Sequence, residues 1–168
     1  MEVPRKLRAL VVDPSNTVRK IIKKSILFKL GIISDDSDGS GESVFNIVRK
    51  SLIEVKSGKP VAGYDMLILP HCMKGECDGT KTTRYLRQLG YDGLIIMLFG
   101  DMSIDEAVYF REWGIDVAIL KPMTIESLLM GLRGNALFLR VLIKVFKSWH
   151  RCTFLIRLRK AQAPQFFK

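Results

Sequence analysis

The stretch Tyr64-Asp65-Met66-Leu67-Ile68-Leu69-Pro70-His71-Cys72-Met73-Lys74-Gly75-Glu76-Cys77-Asp78-Gly79 decides how this chain is read. Its run from Met66 to Leu69 is apolar on every side and too short for a helix. Such a run suits a central strand of a parallel sheet covered on both faces. Pro70 cannot donate to a ladder, and glycines and charged residues follow, so a loop begins there. In an open parallel sheet, ligands and reactive side chains collect beyond the carboxyl ends of the strands. Pro70 and His71 therefore occupy the place where an active site is expected, and neither is a carboxylate.

Working outward, residues 7–12 read as a first buried strand that ends at Asp13-Pro14-Ser15-Asn16. Ser15 or Asn16 can cap the helix that follows, and Gly31 closes it. Within that helix Val18, Ile21, Ile22, Ser25, Ile26 and Lys29 keep a helical period, while Arg19, Lys20, Lys23 and Lys24 form the wet face. Ile32 and Ile33 begin at most a short strand, because the acidic, serine- and glycine-rich run 34–41 reads as loop. Helices are predicted over 42–55, over 80–89 with Gly90 as its stop, and from Ser103 or Asp105 through Arg111. Leu94–Phe99 and Val117–Leu120 read as further buried strands. Thr124 caps a last helix with Ile125, Leu128, Leu129 and Leu132 inward. Strands alternating with helices, without an internal repeat, predict a three-layer, doubly wound α/β domain with right-handed crossovers.

Charge divides the chain. Arg133, Arg140, Lys144, Lys147, Arg151, Arg157, Arg159, Lys160 and Lys168 stand in residues 131–168 with no acid, leaving 18 basic against 17 acidic groups in residues 1–130. The high net charge belongs to the tail, so a nucleic-acid partner is not expected from it. Cys72, Cys77 and Cys152 are odd in number and lack a disulfide-framework pattern, which points to a reducing, cytoplasmic setting. No apolar signal segment opens the chain, and charges interrupt the most apolar region near 136–158, so no spanning helix is expected.

Leu10-Val11-Val12-Asp13 before a helix, the 64–69 run, Met73 with Asp78-Gly79, and Leu120-Lys121-Pro122 occur in order at matching spacing. Together they resemble the response-regulator receiver domain of two-component signalling, a flavodoxin-like five-stranded fold. Arg84-Tyr85-Leu86-Arg87-Gln88-Leu89-Gly90-Tyr91 is similar to receivers of eukaryotic hybrid histidine kinases. The resemblance implies two carboxylates after the first strand and one after the third, holding magnesium, with the last taking a phosphoryl group. It also implies a hydroxyl after the fourth strand and a lysine after the fifth. Magnesium is a hard cation that wants oxygen ligands, and phosphoryl transfer works by positioning and charge neutralisation.

Carried over residue by residue, little of that set remains. Asp13 matches the first acid, but the second falls on Pro14. The phosphoacceptor falls on Pro70, or on His71 if the extra loop residue precedes it. The hydroxyl position falls on Phe99, and Lys121 with Pro122 is kept. The expectation is a pseudo-receiver with no cofactor and no enzymatic activity, acting by protein–protein contact with a histidine kinase, phosphotransfer protein or output domain. Asp13 and Lys121 are expected to pair across the site, Asp65 to position the start of its strand, and Phe99 to sit in the core. A second reading is a phosphorelay protein with a displaced acceptor, for which Asp78 is the nearest carboxylate. His71, Cys72 and Cys77 lack the paired spacing of a tetrahedral zinc site. The resemblance also places partner contacts over 104–133, with Tyr109 and Trp113 as aromatic anchors beside Lys121 and Pro122.

The expected division is a receiver-like domain over 1–134, a helical extension over 135–160 and a disordered end over 161–168. Arg140, Lys144, Lys147 and Arg151 fall on one stripe of that extension, with apolar residues around the rest. This suits an anionic membrane surface or a partner groove, and a third reading is a peripheral membrane adaptor driven by the tail. Packing on its own domain, or an incidental reading frame, would also yield such a tail.

Overall fold

A run such as Leu94-Ile95-Ile96-Met97-Leu98-Phe99 leaves no side of a strand fit for water, so it needs helices on both faces. The chain, described by a computed structural model over residues 6–58, 63–75, 78–101 and 112–133, meets that need. Strands β1 (Arg8–Val12), β2 (Ile33–Ser37), β3 (Met66–Pro70), β4 (Leu94–Phe99) and β5 (Val117–Leu120) are all parallel, in the order β2-β1-β3-β4-β5. Helix α1 (Asn16–Ile21) runs on into a π-helical segment, Ile22–Leu27. Helices α2 (Gly41–Lys56), α3 (Gly79–Gln88) and α4 (Ile125–Gly131) complete the described elements. One apolar cluster joins α1, the π segment and α4 to one sheet face, and a second joins α2 and α3 to the other. The fold is therefore the flavodoxin-like three-layer α/β/α architecture, whose switch point lies between β1 and β3.

Two local expectations are corrected. Residues 33–37 form a full strand, not a loop: β2 pairs with β1 from Arg8↔Ile33 to Val12↔Ser37. Its two carboxylates escape burial by pairing, Asp35 with Arg8 at 2.6 Å and Asp36 with Arg19 at 3.0 Å and with Lys23. In the first helix Ile21, Ser25 and Lys29 face solvent instead of the core, Ile21 being 51% exposed. The buried side carries Ile22, Ile26 and Leu30 at four-residue spacing, with Leu27 also fully buried and Val18 partly so. Such steps overshoot a 3.6-residue turn by about 40° each. Widening the helix, as in the Phe28 N–H bond to Lys23 O, keeps that stripe on the sheet.

The helix expected from Ser103 or Asp105 to Arg111, and the extension and end beyond residue 134, lie outside the described residues. No helix among the described residues is long and apolar enough to cross a membrane.

Candidate functional site

The site is built where β1, β3 and β5 end. Strand pairing carries Val11 level with Ile68, so two residues on Asp13 stands level with Pro70 across the switch point. Pro70 tolerates this central position because of the ladder's alternation. His71 N–H donates to Leu98 O toward β4, so the Pro70 nitrogen faces β1, where pairing has already ended at Ile68. Asp65 sets the other end of the strand, its Oδ2 accepting from Arg8 N–H at 2.8 Å.

Asp13 is 1% exposed, and both its carboxylate oxygens are engaged. Oδ2 accepts from Lys121 Nζ at 2.7 Å, and Oδ1 accepts from Ser15 N–H at 2.8 Å in a turn that leads into α1. Lys121, its side chain 34% exposed, reaches in from the end of β5 just before a cis peptide bond to Pro122. A full charge this deeply buried requires such a partner.

Five of the six residues assigned to a degenerate pocket fall into two groups, and Pro14 stands apart. Asp13, Lys121 and Pro70 follow the phase of Val11, Ile119 and Ile68, all on the face covered by α1 and α4. His71 and Phe99 lie on the opposite face, stacked with ring centroids 5.0 Å apart. Phe99 is 1% exposed and belongs to the cluster under α2 and α3. Pro14 is exposed beside Asp13. Asp78 is the exposed N-cap of α3, its Oδ1 accepting from Lys81 N–H at 2.8 Å.

One neighbour escaped the sequence reading. Gly39, at φ +97°, lies so close over the end of β1 that a Cβ there would stand 2.8 Å from Pro14 N and 3.2 Å from Asp13 C. Its carbonyl accepts from Lys74 N–H at 3.0 Å, tying this loop to the one after β3. Glycine crowding in Asp38-Gly39-Ser40-Gly41 was the available signal, and it says nothing of which strand end the loop covers.

The donor set does not fit magnesium. Among the described residues Asp13 is the one carboxylate directly following β1, β3 or β5, and an ammonium and an amide already hold its oxygens. Among the described residues no three His, Cys, Asp or Glu side chains converge as a metal group. Cys77 of the weighed zinc set lies outside them, as do Tyr109, Arg140, Lys144, Lys147 and Arg151. Trp113 is half-buried against the α2–α3 cluster, while Lys121 and Pro122 are exposed.

No family model matches the chain. It is 30% identical over 128 residues, 76% of its length, to response regulator MprA of Mycolicibacterium vanbaalenii. The same identity holds for MprA of Mycobacterium tuberculosis. The chain spans about half the length of these curated relatives. Among solved structures, a variant receiver domain of the histidine kinase CKI1 from Arabidopsis thaliana is 26% identical, with a TM-score of 0.61 over 83% of this chain and 91% of that one. A Francisella response regulator 1452 receiver domain shares the fold at 19% identity and TM-score 0.59, over 85% and 99% of the two chains. The domain is a response-regulator receiver domain, a signalling module of two-component systems, and its likeness extends to a hybrid-kinase receiver.

Proposed function

We propose that this domain is a pseudo-receiver: a non-catalytic module that engages a signalling partner by its folded surface, without taking a phosphoryl group. The observation that carries the reading is the buried Asp13–Lys121 pair standing level with Pro70. Aspartyl phosphorylation needs a carboxylate at the end of β3, and proline offers neither charge nor hydroxyl. Lys121, which in the family would meet the phosphate, is instead neutralised by Asp13. His71 is a poor substitute acceptor, because its ring lies on Phe99 across the sheet from Lys121. The partner is a histidine kinase, a phosphotransfer protein or an output domain. It is met on the side of β5 and α4, where Lys121, Pro122, half-exposed Leu120 and Met130 face solvent.

Acetyl phosphate with magnesium, followed by intact-mass spectrometry under mild conditions, tests the reading. The expected spectrum contains no added phosphate. An adduct lost on His71→Ala would restore that histidine as acceptor, and one lost on Asp78→Ala would restore the displaced carboxylate; either overturns the proposal.

A further inference from the structure

The near-neutral net charge of residues 1–130 conceals a one-sided distribution. Residues 14–34 carry Arg19, Lys20, Lys23, Lys24 and Lys29 and no acid at all. The widened first helix turns Lys20, Lys24 and Phe28 outward on one line, with Ile21, Ser25 and Lys29 on the next. Phe28 is 79% exposed, Ile21 51% and Ile33, at the start of the neighbouring edge strand, 46%. Lys6, Lys24, Phe28 and Ile33 border one open groove of about 720 Å³.

The carboxylates beside this face are already neutralised. Asp36 is held by Arg19 and Lys23, and Asp35 by Arg8. No ion pair among the described residues engages Lys6, Lys20, Lys24 or Lys29. Four ammonium groups with no ion pair among the described residues thus share this side of the domain with three exposed apolar side chains, and the groove itself lies at the start of β2, away from the Asp13 crevice. A second copy applied by the same face would set lysine against lysine. The chain's own basic tail, without an acid beyond residue 130, is repelled in the same way.

We propose that this face is a peripheral docking surface for an anionic lipid bilayer, with Phe28 entering the headgroup region beside Lys6 and Lys24 and with Lys20 on the same outward line of the helix. An aromatic side chain amid lysines matches the chemistry of interfacial attachment, in which apolar burial and attraction to anionic headgroups act together. The surface is independent of whether the crevice takes phosphate. It also adds a second basic element to the reading of a membrane adaptor driven by the tail, since stable attachment generally needs two weak signals.

The test is co-sedimentation of the full chain with vesicles of 30% phosphatidylserine in phosphatidylcholine, against pure phosphatidylcholine. Binding is expected only to the anionic vesicles. Lys20→Gln/Lys24→Gln should lower the partition coefficient by about tenfold or more, while Lys20→Arg/Lys24→Arg keeps it. Phe28→Ser should remove binding that survives raised salt, because apolar burial is not screened. In a chain carrying R140Q, K144Q, K147Q and R151Q, the residual binding should still depend on Lys20 and Lys24. Equal binding by the Lys20→Gln/Lys24→Gln variant, with an unchanged circular-dichroism melting curve, overturns the proposal and leaves the tail as the sole element. It is equally overturned if poly-glutamate shifts the amide resonances of residues 20–33 while anionic vesicles do not, because that result marks a protein-binding face.

Discussion

Replacing Lys121 should harm this domain more than replacing the aspartate it pairs with. Lys121→Met strands a carboxylate that is 1% exposed, whereas Asp13→Asn leaves an ammonium that is one third exposed and already within reach of water. Removing one partner of a fully buried pair costs about 3–5 kcal/mol. Two features lower the figure here: the partial exposure of the lysine, and the Ser15 N–H that continues to serve Oδ1. About 2 kcal/mol remains for Lys121→Met, roughly a 6 °C fall in melting temperature for a domain of this size. Asp13→Asn keeps an acceptor for Ser15 and loses only the charge attraction, so it should cost about 0.5–1 kcal/mol. Urea denaturation of both single variants and the double variant measures all three quantities, provided the slope with denaturant stays constant. The double variant should be less destabilised than the sum of the two singles, because both remove one shared interaction. The reasoning is refuted if Asp13→Asn proves as costly as Lys121→Met, or if the pair shows no coupling.

Burial and the adjacent Asp35 carboxylate, which accepts from the Tyr64 hydroxyl at 3.1 Å, push the Tyr64 phenol up to about 12, Arg8 opposing in part. Its proton is held more tightly in the folded state, so the associated stability is complete below about pH 10 and is lost as pH rises through 12. An absorbance titration at high pH should lose this late ionisation in Tyr64→Phe; an unchanged late phase refutes the assignment. Asp78→Ala removes the α3 N-cap and should cost about 1 kcal/mol by denaturation, whereas an unaltered midpoint would show the cap to be dispensable. Gly79→Ala would bring a Cβ to 2.4 Å from Pro70 O and 2.7 Å from Met97 Sδ, for a loss of about 1–3 kcal/mol. A neutral outcome there would mean that α3 can slide away from the strand ends.

Buried strands were the most legible part of the chain. Leu94–Phe99 and Val117–Leu120 follow their apolar runs residue for residue, and β3 departs from its run only by including Pro70. That addition depends on which side of the strand lacks a ladder partner, a property of β1 that the local sequence does not express. Strand β2 was hidden because Asp35 and Asp36 are satisfied by Arg8, Arg19 and Lys23, residues distant in sequence. The first helix was misphased because it widens over Ile22–Leu27, and an amphipathic reading assumes a 3.6-residue turn. At the site, residue types alone indicated what Pro14, Pro70 and Phe99 lack. The separation of His71 and Phe99 from Asp13 and Lys121 by the sheet was not legible, because alternation orders side chains only within one strand, and which face each strand's phase shares with its neighbours is set by pairing.

The balance of charge in the crevice also decides whether the domain can act as a switch. A ligand shifts an equilibrium between two conformations only by its difference in affinity for them. On the proposed reading no acceptor exists, so phosphate has no bonded state to favour. Three clustered carboxylates would repel one another and call for a cation. Here one carboxylate meets one ammonium at 2.7 Å, and the charges at these strand ends balance without a metal. Removal of magnesium by a chelator should therefore leave the melting temperature unchanged, and added magnesium should leave the amide resonances of Asp13 and of residues 70–73 in place. Saturable shifts at those positions would mean that Lys121 yields its partner to the ion, and the reading of a permanently neutralised crevice would fail.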